Sequence, residues 1–323
     1  MIQRTHSPSA NIFIRMVVCL SCCFVMMLAH AYAQDLAPRA YLITPVHSNA
    51  LTVSYGFYSG NLNFDGSVPI TDASARASIP VLSYYHSMNF FGRSANFVAS
   101  VPYGVANFHG TVLGSETNVY RSGLFDSVYR ISVNLRGGPA MNVKDFIKWK
   151  QRLLIGVSLR VVAPTGQYDS TKLINFGNNR WAFKPELGLS RRWGHWLLDA
   201  YAGGWFYTTN PKFFSENQYN PGVTTLSQAP IGAIEGHWSY DFRPRLWVSL
   251  DGNFWFGGAT SRNGVENPAS RLSNSRIGGT FSFPISRHQS MKFSYNNGAY
   301  IKYGGNFQNI TFAWQYSWIG RPN

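Results

Sequence analysis

Residues Val162–Trp193 read VAPTGQYDSTKLINFGNNRWAFKPELGLSRRW, and the second half of that stretch decides the fold. From Trp181 onward one parity holds Trp181, Phe183, Pro185, Leu187 and Leu189. The other holds Ala182, Lys184, Glu186, Gly188 and Ser190. Successive side chains on a strand point to opposite faces, so this segment is apolar on one side and charged on the other. Such a strand belongs to a soluble sandwich, or to a barrel with lipid outside and water within. The choice rests on the other segments.

The pattern recurs over Leu51–Tyr58, Ala77–Phe90, Ala95–Tyr103, Phe125–Leu135, Leu153–Ala163, Leu198–Phe206, Ile231–Tyr240, Leu246–Phe256, Arg276–Ile285, Met291–Asn296 and Gln308–Trp318. Ala77–Phe90 is the least regular, with Pro80 inside it, and Leu246–Phe256 is expected to bulge near Gly252. Long polar loops (Ser59–Ala73, Gly104–Ser122, Thr165–Asn179, Thr208–Gln228, Gly257–Ser273) alternate with tight turns near Gly92, Gly194, Pro244 and His288. Asn142–Gln151 breaks the rhythm and reads as a connection carrying one short helix. Aromatic residues gather at the tight turns: Phe90, Phe91, Trp193, Trp196, Tyr240, Phe242 and Trp247. Short turns at one end, long loops at the other and an aromatic girdle are the marks of an outer-membrane barrel. A soluble sandwich has no need of lipid-grade residues on nearly every strand. The expected fold is all-β: a transmembrane antiparallel β-barrel of about twelve strands, with one short periplasmic helix.

The N-terminus agrees with export. Arg4 and Arg15 precede an apolar run over Met16–Leu28, and Ala31-Tyr32-Ala33 forms an A-x-A cleavage site. The run is too short to span a bilayer, so residues 1–33 read as a signal peptide and 34–323 as the barrel. The three cysteines, Cys19, Cys22 and Cys23, all fall in the signal. A chain processed there has no thiol for disulfides, metal binding or catalysis. Its formal charge falls from +14 to +12 with the loss of Arg4 and Arg15. Only 13% of residues are charged and no long like-charge run appears, so nucleic acid is not the expected partner. Asp35–Val46, with Pro38 and Pro45, reads as a short leader at the entry.

Several segments resemble one family. They are LAPRAY (Leu36–Tyr41), SVNL (Ser132–Leu135), APTGQYD (Ala163–Asp169) and KLINFGNNRWAFKPELGLS (Lys172–Ser190). To these are added DAYAGGWF (Asp199–Phe206), LSQAPIGAIEGH (Leu226–His237), NSRIGG (Asn274–Gly279) and FAWQYSW (Phe312–Trp318). Together they resemble the bacterial outer-membrane proteins of the meta-pathway of phenol degradation family. The resemblance implies a barrel for passage of small molecules, by analogy aromatic or hydrophobic compounds. It brings no agreed set of binding residues.

By parity the inward faces collect Arg130, Arg160, Lys184, Glu186, Asp199, Glu235, His237, Asp251, Arg276 and Lys292, with Tyr201 and Trp205 able to stack an aromatic solute. They read either as an electrostatically lined solute path or as side chains that fill a narrow barrel and pair as salt bridges. His237 and Ser239 share a strand face, but no third group to orient the histidine is evident, so no catalytic residue is assigned. No metal-ligand spacing and no cofactor motif appear. The expected function is passive diffusion of small molecules across the bacterial outer membrane. A plugged structural or adhesin-like barrel is the alternative, and an outer-membrane hydrolase a more remote one. Expected partners are outer-membrane lipid and lipopolysaccharide, a small-molecule solute, and the barrel-assembly machinery acting through the C-terminal strand.

Overall fold

The computed structural model describes residues 36–63, 70–112, 114–217 and 220–320, so the signal peptide read over 1–33 lies outside the described residues. The strands are β1 (Ser48–Asn63), β2 (Ile70–Phe90), β3 (Arg93–Val112), β4 (Ser115–Leu124), β5 (Ser127–Arg136), β6 (Leu153–Ala163), β7 (Ala182–Trp193) and β8 (Trp196–Tyr207). They continue with β9 (Leu226–Gln228), β10 (Ile231–Arg243), β11 (Leu246–Gly257), β12 (Thr260–Arg262), β13 (Val265–Asn267), β14 (Leu272–Pro284), β15 (Gln289–Ile301) and β16 (Gly304–Ile319). Thirteen of them form one antiparallel sheet, which closes through β1–β16 and β2–β3. β4 and β5 pair with the two halves of β3 and share a stave, so the barrel has twelve staves. Closure leaves no open edge for the main chain to satisfy in lipid.

The parity read from the sequence is the parity observed. Leu187 and Leu250 are 54% and 57% exposed, and large apolar side chains are exposed on outward faces all round the barrel. A water-soluble wall would not carry so continuous an apolar surface. Inward positions on the same strands are polar: Ser190, Asp199, His237, Ser239 and Asp251 are all 2% exposed or less.

Four expectations change. β11 keeps one parity from Trp247 to Trp255, and its register on both neighbours runs unbroken through Gly252, so there is no bulge there. The register shifts lie elsewhere, one of them between Ser275 and Arg276. Gly104–Ser122 is not a loop: it forms the upper parts of β3 and β4, where His109 sits in a strand and its Nδ1 bonds Asn118 Oδ1 at 3.0 Å. Ser59–Ala73 likewise lengthens β1 and β2. Trp247 points inward and is 7% exposed, so it does not belong to the aromatic girdle.

At the short-turn end the connection between β5 and β6 carries α1 (Val143–Lys148), capped by Asn142, whose side chain accepts from the Asp145 N–H at 3.0 Å. Pro80 removes a donor where β2 and β3 part: their pairing stops at Ser78↔Val105 and resumes at Val81↔Pro102. At the long-loop end, β9, β12 and β13 build a small three-stranded sheet out of loop segments.

Candidate functional site: a layered lumen

The lumen is organised in layers from the short-turn end upward. The first is the N-terminal segment, which crosses the bore. Pro45 O accepts from Ser87 Oγ at 2.5 Å on β2, and Thr44 Oγ1 bonds Tyr85 Oη at 2.8 Å. Asn134 on β5 donates to Tyr41 O at 3.3 Å, and Arg130 Nη1 to Ala40 O at 3.1 Å. Farther along, the Ala40 N–H donates to Tyr201 Oη at 3.0 Å and the Arg39 N–H to Asp199 Oδ2 at 3.2 Å, both on β8. Arg39 Nη1 then reaches Asp241 Oδ1 at 2.7 Å on β10, and its guanidinium lies over Trp247. Asp241 also pairs with Arg192.

Tyr41 anchors this insert and is 1% exposed. Its hydroxyl donates to Glu186 Oε1 at 3.0 Å and lies 3.0 Å from Ser158 Oγ. Its ring fills a notch cut by Gly156 and Gly188, which face each other across β6 and β7. A methyl on either glycine would run into that ring. Burial of the hydroxyl is affordable because it is bonded.

The second layer is a belt of charge. Lys184 Nζ is held by Glu186 Oε2 at 2.6 Å and Glu235 Oε1 at 2.7 Å. Arg130 Nη2 lies 3.7 Å from Glu186 on the other side. His237 Nε2 is 3.8 Å from Glu235, and its Nδ1 is 2.9 Å from Asp251 Oδ1. Asp251 Oδ2 accepts from Thr280 at 2.7 Å, and Ser294 donates to Thr280 at 3.2 Å. The belt therefore runs unbroken from β5 to β15. Low dielectric strengthens such a chain when every member is paired and makes it costly when one is lost.

Not every expected lining residue joins the belt. Arg160 faces inward and its charge bears on Glu235. Arg276 is 2% exposed and donates from Nη1 to Asn296 at 2.6 Å and to Phe307 O at 3.0 Å, a separate group. Lys292 is half-buried and stands opposite Ser282, towards the short-turn end. Asp199 and Tyr201 hold the insert. Trp205 is 1% exposed in the layer above, so it is wall and not a free platform.

That third layer is an apolar collar: Val162, Ala182, Trp205, Ile231, Ala233, Trp255, Leu272 and Ile301. On each stave these residues lie loop-ward of the charged ones. The fourth layer is the connection from β6 to β7. Its Ile174 and Phe176 pack with Leu62, Ala75, Phe108, Phe125 and Phe307, inward residues of β1, β2, β3 and β16 and of the β4–β5 junction. A loop that starts on β6 and β7 and reaches β1 and β16 has crossed the mouth. Asp126 pins it, accepting from the N–H groups of Gly166 and Asn178, each at 2.9 Å.

Sequence reasoning found the inward faces but missed the partners. Asp251 does orient His237, through the cross-strand pair His237↔Asp251. Ser239, however, makes no hydrogen bond to that histidine, and its hydroxyl is unpartnered. The insert was signalled only faintly, by paired inward glycines opposite each other on Leu153–Ala163 and Trp181–Ser190. No group of three or more potential metal-ligating side chains occurs among the described residues.

A closed twelve-stave wall with an apolar exterior and a charged bore defines a transmembrane β-barrel of the outer-membrane type. The family model described as "Putative MetA-pathway of phenol degradation" matches residues 59–318, and the chain belongs to that family. Among solved structures it is similar to the COG4313 outer membrane channel from Pseudomonas putida F1, with a TM-score of 0.73 and 16% identity over 88% of this chain and 100% of that one. The β domain of the Bordetella autotransporter BrkA scores 0.48 at 11% identity, over 84% and 100% of the two chains. The Pseudomonas putida toluene transporter TodX scores 0.41 at 10% identity, over 84% and 89%. Those two likenesses are too distant to carry an argument. No curated protein matches the chain.

Proposed function

We propose that this protein is a bacterial outer-membrane channel that passes small, largely hydrophobic molecules, aromatic ones among them, by passive diffusion. The observation that carries the reading is the layering of the bore. A solute entering from the loop end meets an apolar collar and then a belt whose charges are already paired with one another. Paired charges present little net field, so they do not select strongly for ions. An apolar collar lets a poorly hydrated solute shed water without losing contact. The loop carrying Ile174 and Phe176 narrows the mouth, and the insert around Tyr41 narrows the base.

The lipid-facing wall would rest in outer-membrane lipid and lipopolysaccharide. The alternating Phe312, Trp314, Tyr316 and Trp318 of β16 would present the C-terminal strand to the barrel-assembly machinery. A second reading has its own support: the insert fits its glycine notch so closely that the barrel could be a plugged scaffold whose loops bind partners. A hydrolase has less behind it, since the His237–Asp251 pair has no nucleophile bonded to it.

Efflux from proteoliposomes separates these readings. Folded protein is expected to speed release of small neutral aromatics over that of sugars of similar mass. Release no faster than from empty liposomes would remove the channel reading and leave the scaffold.

A further inference from the structure

The short-turn end carries cations that the chain itself leaves unpaired. Arg93, Arg136, Arg152 and Arg191 stand at the ends of the neighbouring staves β3, β5, β6 and β7, and all are exposed. The connection between β5 and β6 adds Lys144, Lys148 and Lys150, exposed as well, against one exposed acid in the same arc, Asp145. None of these cations forms an ion pair among the described residues, whereas at the loop end Lys172, Lys212 and Arg271 each meet a carboxylate within 3.2 Å. Asp241, farther round the same end, is already held by Arg39 and Arg192.

Three of the arginines stand on the lipid side of the wall. Arg191 shares the outward parity of Leu187 and Leu189, pairs with Leu153 and Leu198, and lies 5.9 Å over the Trp193 ring. Arg136 stands opposite Ile155 after the register shift that follows Asn134, so it shares the outward face of β6. Arg93 has the parity of Val101 and Tyr103, which are 48% and 41% exposed. β6 runs between Arg136 and Arg191, which sets their backbones about 10 Å apart across the sheet. Its outward Leu153, Ile155 and Val157 continue the apolar wall between them. An outward position at the edge of the apolar band, beside an indole, lies at the level of lipid headgroups. An arginine there keeps its stem on the wall and its guanidinium among phosphates, which it grips with two parallel hydrogen bonds. Like charges gathered without acids repel one another until an anion is fixed among them.

We propose that the arc from β3 to β7 is a binding site for anionic phospholipid of the periplasmic leaflet. The phosphate sits between Arg136 and Arg191, the acyl chains lie along the outward residues of β6, and Arg93 and the connection lysines add to the field. A water-soluble polyanion would meet the lysines, but not arginines set among lipid-facing leucines. The site does not depend on whether the bore conducts.

The test is native mass spectrometry of the full chain folded in detergent and titrated with phosphatidylglycerol, with phosphatidylcholine of the same acyl chains as the neutral control. Phosphatidylglycerol is expected to be retained more strongly, and free glycerol phosphate in excess should not displace it. Arg136→Gln and Arg191→Gln should each weaken its binding roughly fivefold, and the triple variant with Arg93→Gln roughly a hundredfold, with phosphatidylcholine unchanged. Arg76→Gln removes an exposed charge at the loop end and should change nothing. Heat-modifiable gel mobility checks that each variant is folded. Equal retention of the two lipids, or a folded triple variant that binds like the unsubstituted chain, would overturn the site. Displacement by glycerol phosphate would make it a site for loose phosphate, and an equal loss with Arg76→Gln would reduce it to general charge attraction; either result also overturns the proposal.

Discussion

Lys184 is the residue on which the interior turns. It is 3% exposed and is the only cation of the belt to contact both Glu186 and Glu235 at hydrogen-bond distance among the described residues. Lys184→Met takes from two buried carboxylates the cation nearest to both, leaving Glu186 with Arg130 and Glu235 with His237 only at longer range. It should cost about 3–5 kcal/mol of barrel stability, read by urea unfolding from lipid vesicles. The triple variant with Glu186→Gln and Glu235→Gln should recover much of that loss. A Lys184→Met cost under about 1 kcal/mol would mean the belt is hydrated and its pairing unimportant. Gly188 offers a second test at this scale. Gly188→Ala should expel the Tyr41 ring and enlarge the single-channel conductance. Adding Tyr41→Ala should then increase it little further, because both changes empty the same notch. Additive increases would show that Tyr41 is not the obstacle. What the sequence conveyed here was side, not partner. Lipid requires an apolar outer face, so the inward parity of Lys184 and Glu186 is unmistakable. The pairing of Lys184 with Glu235, 51 positions away, depends on register across β7, β8 and β10, which no local pattern carries.

At the scale of elements, the β6–β7 connection covers the mouth, with Phe176 and Ile174 packed inside it. Phe176→Ser removes a buried ring from that seat. The cost, about 3 kcal/mol, falls on loop closure, so limited proteolysis within 164–181 should speed up roughly a hundredfold. An unchanged cleavage rate would place the loop's hold elsewhere. Near its exposed tip Lys172, with Thr171, holds the Asp169 carboxyl down to about 2. A depressed folded value means the contribution is fully present above the ordinary carboxylate range and is lost as pH falls from that range through about 2. The Asp169 carbon resonance should titrate there, and Lys172→Met should return it towards the usual range. Titration near 4 in the unsubstituted chain would dissolve the Lys172 contact. Elements outside the bilayer were the least legible in the sequence. β3 above Gly104 turns polar outside (Asn107, His109, Thr111) while Ala106 and Phe108 are buried inside beneath the β6–β7 loop, so the apolar-outward signature of the lower staves is lost and Gly104–Ser122 reads as a loop. Phe254 and Phe256 mislead in the opposite way: Gly252 sits at an outward position with no side chain to show it, and an unbroken strand looks bulged.

For the whole molecule, the wall and its contents are separable. Each stave is hydrogen-bonded to two neighbours without help from the N-terminal segment, apart from the upper stretch of β4. A chain lacking Pro38–Thr44 should therefore still fold, with heat-modifiable mobility intact and a wider bore. Failure to fold would show that the insert is part of the scaffold. The insert was the least predictable feature of the whole, because Leu36–Val46 has no periodicity and its fit depends on a notch made by two strands that begin more than a hundred positions later.

The most direct measurement is planar-bilayer conductance of the folded full chain beside the Pro38–Thr44 deletion. A channel that conducts past its own insert gives small discrete steps from the full chain and larger ones from the deletion. Steps from the deletion alone, or from neither, would contradict it and make the barrel a plugged scaffold.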